Sequence, residues 1–415
     1  LGALGGRKMD GVAHRARLYP LYEPVKKSLI DRALVLPFHG PGSYTGEDTI
    51  EYHVHGGRAV IDSLLAALAQ LPDHRLAEPG EFTRRAFENA KLDLTEAEAV
   101  ADLINAETEA QKIQALAQMG GTLFRLYQGW TDTLAQSLAH LEADIEFPDE
   151  DLPAGIAQEI LWPLQNVKAE IAAHLNDNRR GERLRDGIHV AIIGAPNAGK
   201  STLANALTQR EVAIVSPHAG TTRDIIEAHL NIGGYPVILS DTAGLRPDQI
   251  TDNPHDHIES EGIRRALARA READIKILLF DGSEEEPDAH TLALIDETAL
   301  LVVNKADQPC KLARAWTAID ISAHSGKGLD KLLEALIARI HALYGQRDAP
   351  VITRQRHRQA LAEALAALVR GLGAALPELV AEDVRLAVRA LGRITGKVDV
   401  EDLLDIVFRD FCIGK

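Results

Sequence analysis

The sequence predicts a multidomain protein that combines α+β and α/β folds. An N-terminal α+β domain comes first, followed by a discontinuous all-α helical domain with a P-loop α/β domain inserted between its halves. At 415 residues the chain is too long for a single domain of roughly 150. Strand-like apolar runs alternate with helix-like stretches between about residues 188 and 345. On both sides of that region Ala-rich helical periodicity dominates. The expected boundaries are 1–92, 93–187, 188–345 and 346–415.

The N-terminal region is the most mixed. Arg32–Leu36 reads as a strand and leads into a Gly-, Pro- and Ser-rich loop, His39–Gly46. Thr49–His55 alternates, with Ile50, Tyr52 and Val54 on one face and Thr49, Glu51, His53 and His55 on the other. Gly56–Gly57 ends that run, and Val60–Leu71 has helical spacing. Thr95 followed by Glu98 predicts a capping box. Few breakers follow beyond Gly120–Gly121 and Gly129. Trp130, Leu134, Leu138 (or Ser137), Leu141 and Ile145 mark one helical face, closed by Phe147–Asp151 and Pro153. A shorter helix is expected around Val167–Leu175. The charged segment Asn178–Gly187 carries Arg179, Arg180, Arg183 and Arg185 and reads as a solvated linker.

Ile188–Ile193, Val237–Ser240, Ile275–Phe280 and Leu300–Val303 then fit a largely parallel sheet. Arg356–Val369, Val380–Leu391 and Val400–Phe408 return to helix, which suggests insertion of the α/β module into one helical domain.

Composition narrows the function. Lys plus Arg total 45 against 61 Asp plus Glu, a formal net charge of -16, which excludes a protein held to nucleic acid mainly by a basic coat. A local RNA contact or a basic partner stays open. No apolar run is long enough to span a membrane. Cys310 and Cys412 are too few for a disulfide scaffold, and a reducing, cytoplasmic setting is the simplest expectation. The first residue is Leu rather than Met, so an upstream segment is expected to be missing.

The strongest chemical signal is Gly194-Ala-Pro-Asn-Ala-Gly199-Lys200-Ser201, which follows a strand and opens a helix. Its glycines let backbone N–H groups curl around phosphate oxygens at a helix N-terminus. Lys200 is expected to reach the β and γ phosphates and Ser201 to bind Mg²⁺. About forty residues on, Asp241-Thr242-Ala243-Gly244 ends an apolar run; its acid can hold the metal through water, and Gly244 N–H can meet the γ phosphate. Between them, in Gly220-Thr221-Thr222-Arg223-Asp224, Thr222 is the expected switch hydroxyl on Mg²⁺.

Asn304-Lys305-Ala306-Asp307 selects the base. The Asp307 carboxylate can accept both the N1–H and the exocyclic amine of guanine, and adenine would leave that buried charge unpaired. Ser322-Ala323 fits the element whose backbone N–H meets the guanine O6. The nucleotide is therefore GTP, or GDP after hydrolysis. Thr202, Pro217, Ala219 and His324 complete the expected nucleotide set. Leu245 stands where many small GTPases carry a water-orienting Gln, so another polar group must act, with Glu259, Glu261, Arg223 and Arg246 as candidates.

These elements in order resemble the bacterial MnmE/TrmE family of tRNA-modification GTPases. So do Ser43-Tyr-Thr-Gly-Glu-Asp, His55-Gly-Gly, Pro79-Gly-Glu-Phe-Thr-Arg-Arg-Ala-Phe, Lys91-Leu-Asp-Leu and Phe411-Cys-Ile-Gly-Lys415, so the resemblance covers essentially the whole chain. It implies a folate-binding, dimerising N-terminal domain, a discontinuous helical domain and an inserted Ras-like G domain. It also implies a homodimer that works with the FAD-dependent flavoprotein MnmG (GidA) on carbon 5 of the wobble uridine of certain tRNAs. The family's G domains use K⁺ rather than an arginine finger. The resemblance places K⁺ ligands at Asn197, Ser216, His218 and Thr221 and a water-positioning acid at Glu259, with Glu261 as its rival.

For a 5-formyl- or methylene-tetrahydrofolate it implies contacts from Glu51, Lys91 and Lys415, while the family's N-terminal Gly-Arg-Gly segment is absent. Cys412 is implied in the modification step, and Cys310 reads as passive. His53 and His55, beside Glu51, are read as hydrogen-bonding residues rather than metal ligands. The alternative reading is a ribosome-associated regulatory GTPase that acts as an interaction switch.

Overall fold

The computed structural model describes residues 4, 14–146, 156–210, 212–213, 227–240, 273–345, 350–398, 404, 407, 408 and 411. The chain forms two compact units, 1–101 with 119–131 and 388–415, and 102–118 with 132–387.

In the first unit, β1 (Arg17–Tyr22), β2 (Leu29–Phe38) and β3 (Thr49–His53) form an antiparallel sheet in that order. The pleat turns Ala33 and Val35 of β2 inward against Leu21 and against Leu64 and Ala67 of α1 (Arg58–Leu68). β1 escapes the sequence pattern because Pro20 stands mid-strand, a position open to proline only at a sheet edge.

The motif Ser43–Asp48 and helix α2 (Glu81–Glu88) lock together. Tyr44 Oη lies 3.0 Å from Thr83 Oγ1, Arg85 donates to Glu47 at 3.1 Å, and Asn89 Nδ2 donates to the Thr45 carbonyl at 2.8 Å. Arg75 is the main cause that holds the Glu81 carboxyl down to about 2.

Helix α3 (Leu94–Ile104) corrects the predicted cap. Asp93 caps it, accepting the N–H groups of Thr95 at 2.6 Å and Glu96 at 3.3 Å, while Glu96 accepts the Asp93 N–H at 3.0 Å. Thr95 and Glu98 have the same spacing as Asp93 and Glu96, but both are buried inside the helix. The apolar face of α3 is covered by Leu404, Phe408 and Phe411. Leu404, Val407 and Phe408, the described members of the stretch Val400–Phe408, are helical.

Gly121, at φ +73°, breaks the chain between α4 (Glu109–Met119) and α5 (Thr122–Glu146). On α5 Trp130, Leu134, Ser137 and Leu141 are buried, so Ser137 takes the place left open between it and Leu138. Helix α6 (Ile156–Leu175) begins well before Val167 and runs through Pro163. An interior proline costs a helix about 3 kcal/mol. Burial of Leu164, Val167 and Ile171 in a helix packed on α11 (Gln355–Leu372) offsets that cost. Helix α12 (Pro377–Thr395) follows α11. The flanks of the α/β region thus pair with each other, as insertion requires.

The charged segment expected as a solvated linker is instead helix α7 (Arg180–Asp186), with Arg180, Glu182 and Leu184 buried. Distant partners make this possible. The Asp102 Oδ1 accepts from Arg185 at 2.9 Å and from Arg354 at 2.7 Å. Arg358 donates to Asp177 at 2.6 Å, to Glu182 at 3.1 Å and to the Leu175 carbonyl at 2.8 Å. Arg183 pairs with Asp274 at 2.9 Å. Charges buried this way are tolerated because each meets its opposite.

The inserted region is a sheet of order β10-β9-β8-β4-β7-β6-β5. Its strands are β4 (Ile188–Gly194), β5 (Val212–Ala213), β6 (Glu227–Ile232), β7 (Tyr235–Ser240), β8 (Ile275–Asp281), β9 (Ala299–Asn304) and β10 (Ile319–Asp320). All pairings are parallel except those of β6 with β7 and β5. Alternation along β4 sends Ile188, Val190 and Ile192 into the core shared with α8 (Lys200–Arg210) and α10 (Leu329–Tyr344). Ala191 and Ile193 enter the core on the other face, which explains a continuously apolar strand. The short helix α9 (Ala289–Leu292) follows β8.

Candidate nucleotide site

The parallel strands end together, and the loops after β4, β9 and β10 meet there. This is where an open α/β sheet places its ligands. The loop 194–199 needs both its glycines for reasons of space. A Cβ at Gly194 would lie 2.3 Å from the Leu279 carbonyl of β8, and one at Gly199 would lie 2.2 Å from the Asn304 amide. Gly199 also has φ +97°. Asn197 is exposed at φ +63°, and Ala198 is buried. Lys200 Nζ donates to the carbonyls of Gly194 at 3.0 Å and Ala195 at 2.9 Å, so it lies along its own loop. Ser201 is half-buried in the first turn of α8 and Thr202 is exposed.

Asn304 fastens the three loops together. Its Nδ2 donates to the Ala198 carbonyl at 2.8 Å, and its Oδ1 accepts the Ala323 N–H at 2.9 Å. Both bonds are buried, where removing one partner leaves the other unsatisfied at about 1–3 kcal/mol each. This clasp went unnoticed in the sequence, where Asn304 reads only as the first letter of its motif. It also changes the expectation for Ser322-Ala323. Their N–H groups are committed, that of Ala323 to Asn304 and that of Ser322 to the Lys327 carbonyl at 2.8 Å, rather than left open toward a base.

Asp307, expected to be buried, is exposed. The Ser322 hydroxyl is the first of several groups that hold its carboxyl below the usual range, with its own N–H, His324 and Lys327 adding to the effect. His324 is exposed and Ser322 fully buried.

Glu259, Ser216, Pro217, His218, Ala219, Gly220, Thr221, Thr222, Arg223, Asp241, Thr242, Ala243, Gly244, Leu245, Arg246, Glu261, Cys412 and Lys415 lie outside the described residues. Among the described residues no group of three or more His, Cys, Asp or Glu could hold a metal ion. The hydroxyl of Ser201, at a helix N-terminus next to Lys200, suits a hard cation that is shared with phosphate. In the first unit, Glu51 meets His53 at 3.0 Å, His55 meets Asp31 at 2.9 Å, and Lys91 donates to the Pro41 carbonyl at 2.8 Å. Glu51 and Lys91 therefore each have a partner of their own. Cys310 is an exposed free thiol. No helix among the described residues is long and apolar enough to cross a membrane.

The family model of the MnmE helical domain matches residues 94–412, and that of the N-terminus of the GTP-binding protein TrmE matches residues 3–91. The tRNA modification GTPase MnmE of Parvibaculum lavamentivorans is 53% identical over 420 residues, covering 100% of this chain and 93% of its own length. That of Paramagnetospirillum magneticum is 50% identical over 424 residues, with coverage of 100% and 93%. That of Rhodospirillum rubrum is 53% identical over 392 residues, with coverage of 93% and 85%. Matches of this extent, together with the loop arrangement at the strand ends, identify the chain as a GTP hydrolase that belongs to the MnmE/TrmE family of tRNA modification GTPases.

Proposed function

We propose that the chain is a K⁺-stimulated GTPase that works with an FAD-dependent flavoprotein, MnmG, to modify carbon 5 of the wobble uridine, U34, of certain tRNAs. The one-carbon unit would come from a tetrahydrofolate. The observation that supports the nucleotide part of this reading is the Asn304 clasp, which joins the phosphate loop to the turn that carries Asp307. In this reading Asn304, Lys305, Asp307, Ser322, Ala323 and His324 surround the base, and Asn197 to Thr202 surround the phosphates. Ser201 and Thr222 would hold Mg²⁺, with Asp241 to Gly244 beside it. Bound Mg²⁺ and K⁺ would supply positive charge against the phosphates as the bond to the γ phosphate breaks.

The chain's own groups do the remaining work. Lys200 leaves the Gly194 and Ala195 carbonyls for phosphate oxygens. Glu259 orients the attacking water, since Leu245 cannot. Asn197, Ser216, His218 and Thr221 form the K⁺ loop. The protein acts as a homodimer in the cytoplasm, and closure of two G domains over GTP repositions the attached domains. Glu51, Lys91 and Lys415 hold the folate, with Cys412 near the modification step.

GTP hydrolysis measured in K⁺ and in Na⁺, with and without Glu259→Ala, tests this. Faster turnover in K⁺ and a loss of about 100-fold in the variant are expected. Equal rates in the two salts would remove the potassium assignment, and an unaffected variant would remove that of Glu259.

A further inference from the structure

β8 ends on an acid that none of the nucleotide motifs includes. Asp281 stands level with Asn304 in the parallel β8–β9 ladder, so it emerges beside the turn that carries Lys305 and Asp307. Its Oδ2 pairs with Lys305 Nζ, and its side chain is only 10% exposed. Its Oδ1 accepts both the N–H of Ser283, at 2.9 Å, and the Ser283 hydroxyl, at 2.6 Å. Ser283 Oγ in turn lies 3.4 Å from Lys305 Nζ. Burial opposes the charge on Asp281, but Lys305 and Ser283 outweigh it and hold the carboxyl below its usual range.

The backbone makes the pairing more than a surface contact. Lys305 has φ +66°, a left-handed conformation that costs a residue with a side chain and persists only where its surroundings enforce it. That conformation turns the chain so that the Ala306 N–H reaches the Ile321 carbonyl at 2.9 Å and Asp307 reaches the Ser322 hydroxyl. Gly282, next to Asp281, is seated against the same turn. Its N–H donates to the Asn304 carbonyl at 3.0 Å, and a Cβ there would lie 2.6 Å from that oxygen.

We propose that Asp281 is a positioning residue for guanine recognition: by anchoring the Lys305 ammonium together with Ser283, it fixes the left-handed turn that presents Asp307. The proposal rests on the reading that Asp307 and its neighbours hold the base. Among the described residues the Asp281 side chain bonds Lys305 and Ser283 and not the phosphate loop, so its loss should weaken GTP and GDP alike and raise KM with little change in kcat.

The test is binding of fluorescent GDP and GTP to the full chain carrying Asp281→Asn, Lys305→Met and both together. Each single change is expected to weaken both nucleotides about tenfold, and the double change no more than the stronger single one. A preference for GDP over IDP should narrow in Asp281→Asn, because the 2-amino contact is what loosens. Affinity like that of the unaltered chain in Asp281→Asn, or losses that multiply in the double variant, would overturn the proposal. Should Asp281→Asn not fold, Ser283→Ala is read instead; a loss of about threefold supports the proposal and no loss overturns it. Asp307→Ala separates the two levels. If the unaltered chain binds no guanine nucleotide, or Asp307→Ala binds as tightly, the underlying reading fails. If binding depends on Asp307 but not on Asp281, only the present proposal fails.

Discussion

The two halves of the nucleotide site are built differently. On the guanine side Asn304, Ser322 and Ala323 are buried with their polar groups paired, and Asp307 is held by the Ser322 hydroxyl. On the phosphate side Asn197 is exposed in a left-handed conformation, and Lys200 spends its hydrogen bonds on its own loop. The turn that carries Asp307 is therefore fixed in place, whereas in the proposed function phosphate binding requires Lys200 to exchange partners. A site with one fixed half and one adjustable half can keep hold of guanosine while responding to the number of phosphates.

The change that should hurt most strikes both halves. Gly199→Ala places a methyl against the Asn304 amide at a backbone angle disfavoured for alanine. Loss of GDP binding by about 1,000-fold or more is expected in calorimetry. Asn304→Ala comes next, since it strands the Ala198 carbonyl and the Ala323 N–H, and a loss of about 100-fold is expected. Lys200→Ala isolates the adjustable half; GTP affinity should fall by about 10- to 100-fold while guanosine binds as before. If guanosine affinity fell in parallel, the two halves would not be separable.

The smallest effect expected is that of pH. The Ser322 hydroxyl, with the other groups around Asp307, depresses its carboxyl below the ordinary value of 3.8. A depressed acid stays charged as pH falls past its ordinary value, so the affinity for guanosine, which has no phosphate of its own to titrate, should be flat from neutral pH down to about pH 5. A titration midpoint above that would count against Asp307 as the group that reads the base.

Much of this was legible in the sequence. Strands β4, β7, β8 and β9 follow from their apolar runs, and the loops after β4 and β9 from the Gly and Asn that end them. The parts that were not legible depend on distant partners. Helix α7 has several arginines and little apolar period, and it looks like a linker until Asp102, Asp274 and Arg358 arrive from elsewhere in the chain. Strand β6, Glu-Ala-His-Leu-Asn-Ile, is too polar to stand out and is defined by its pairing with β7. The overlap of Asp93–Glu96 with Thr95–Glu98 could be resolved only by burial. Asp281 could have been noticed, because Asp-Gly-Ser follows an apolar strand directly, but nothing local says that its partner is Lys305.

The bonds from Arg358 to Leu175, Asp177 and Glu182, and from Arg185 and Arg354 to Asp102, have an engineering consequence. They bring the chain's departure into the inserted region and its return to a single doorway. A cassette that enters and leaves by one doorway should be exchangeable for a cousin, provided the newcomer keeps an apolar seat for Leu184 and an acid for Arg183.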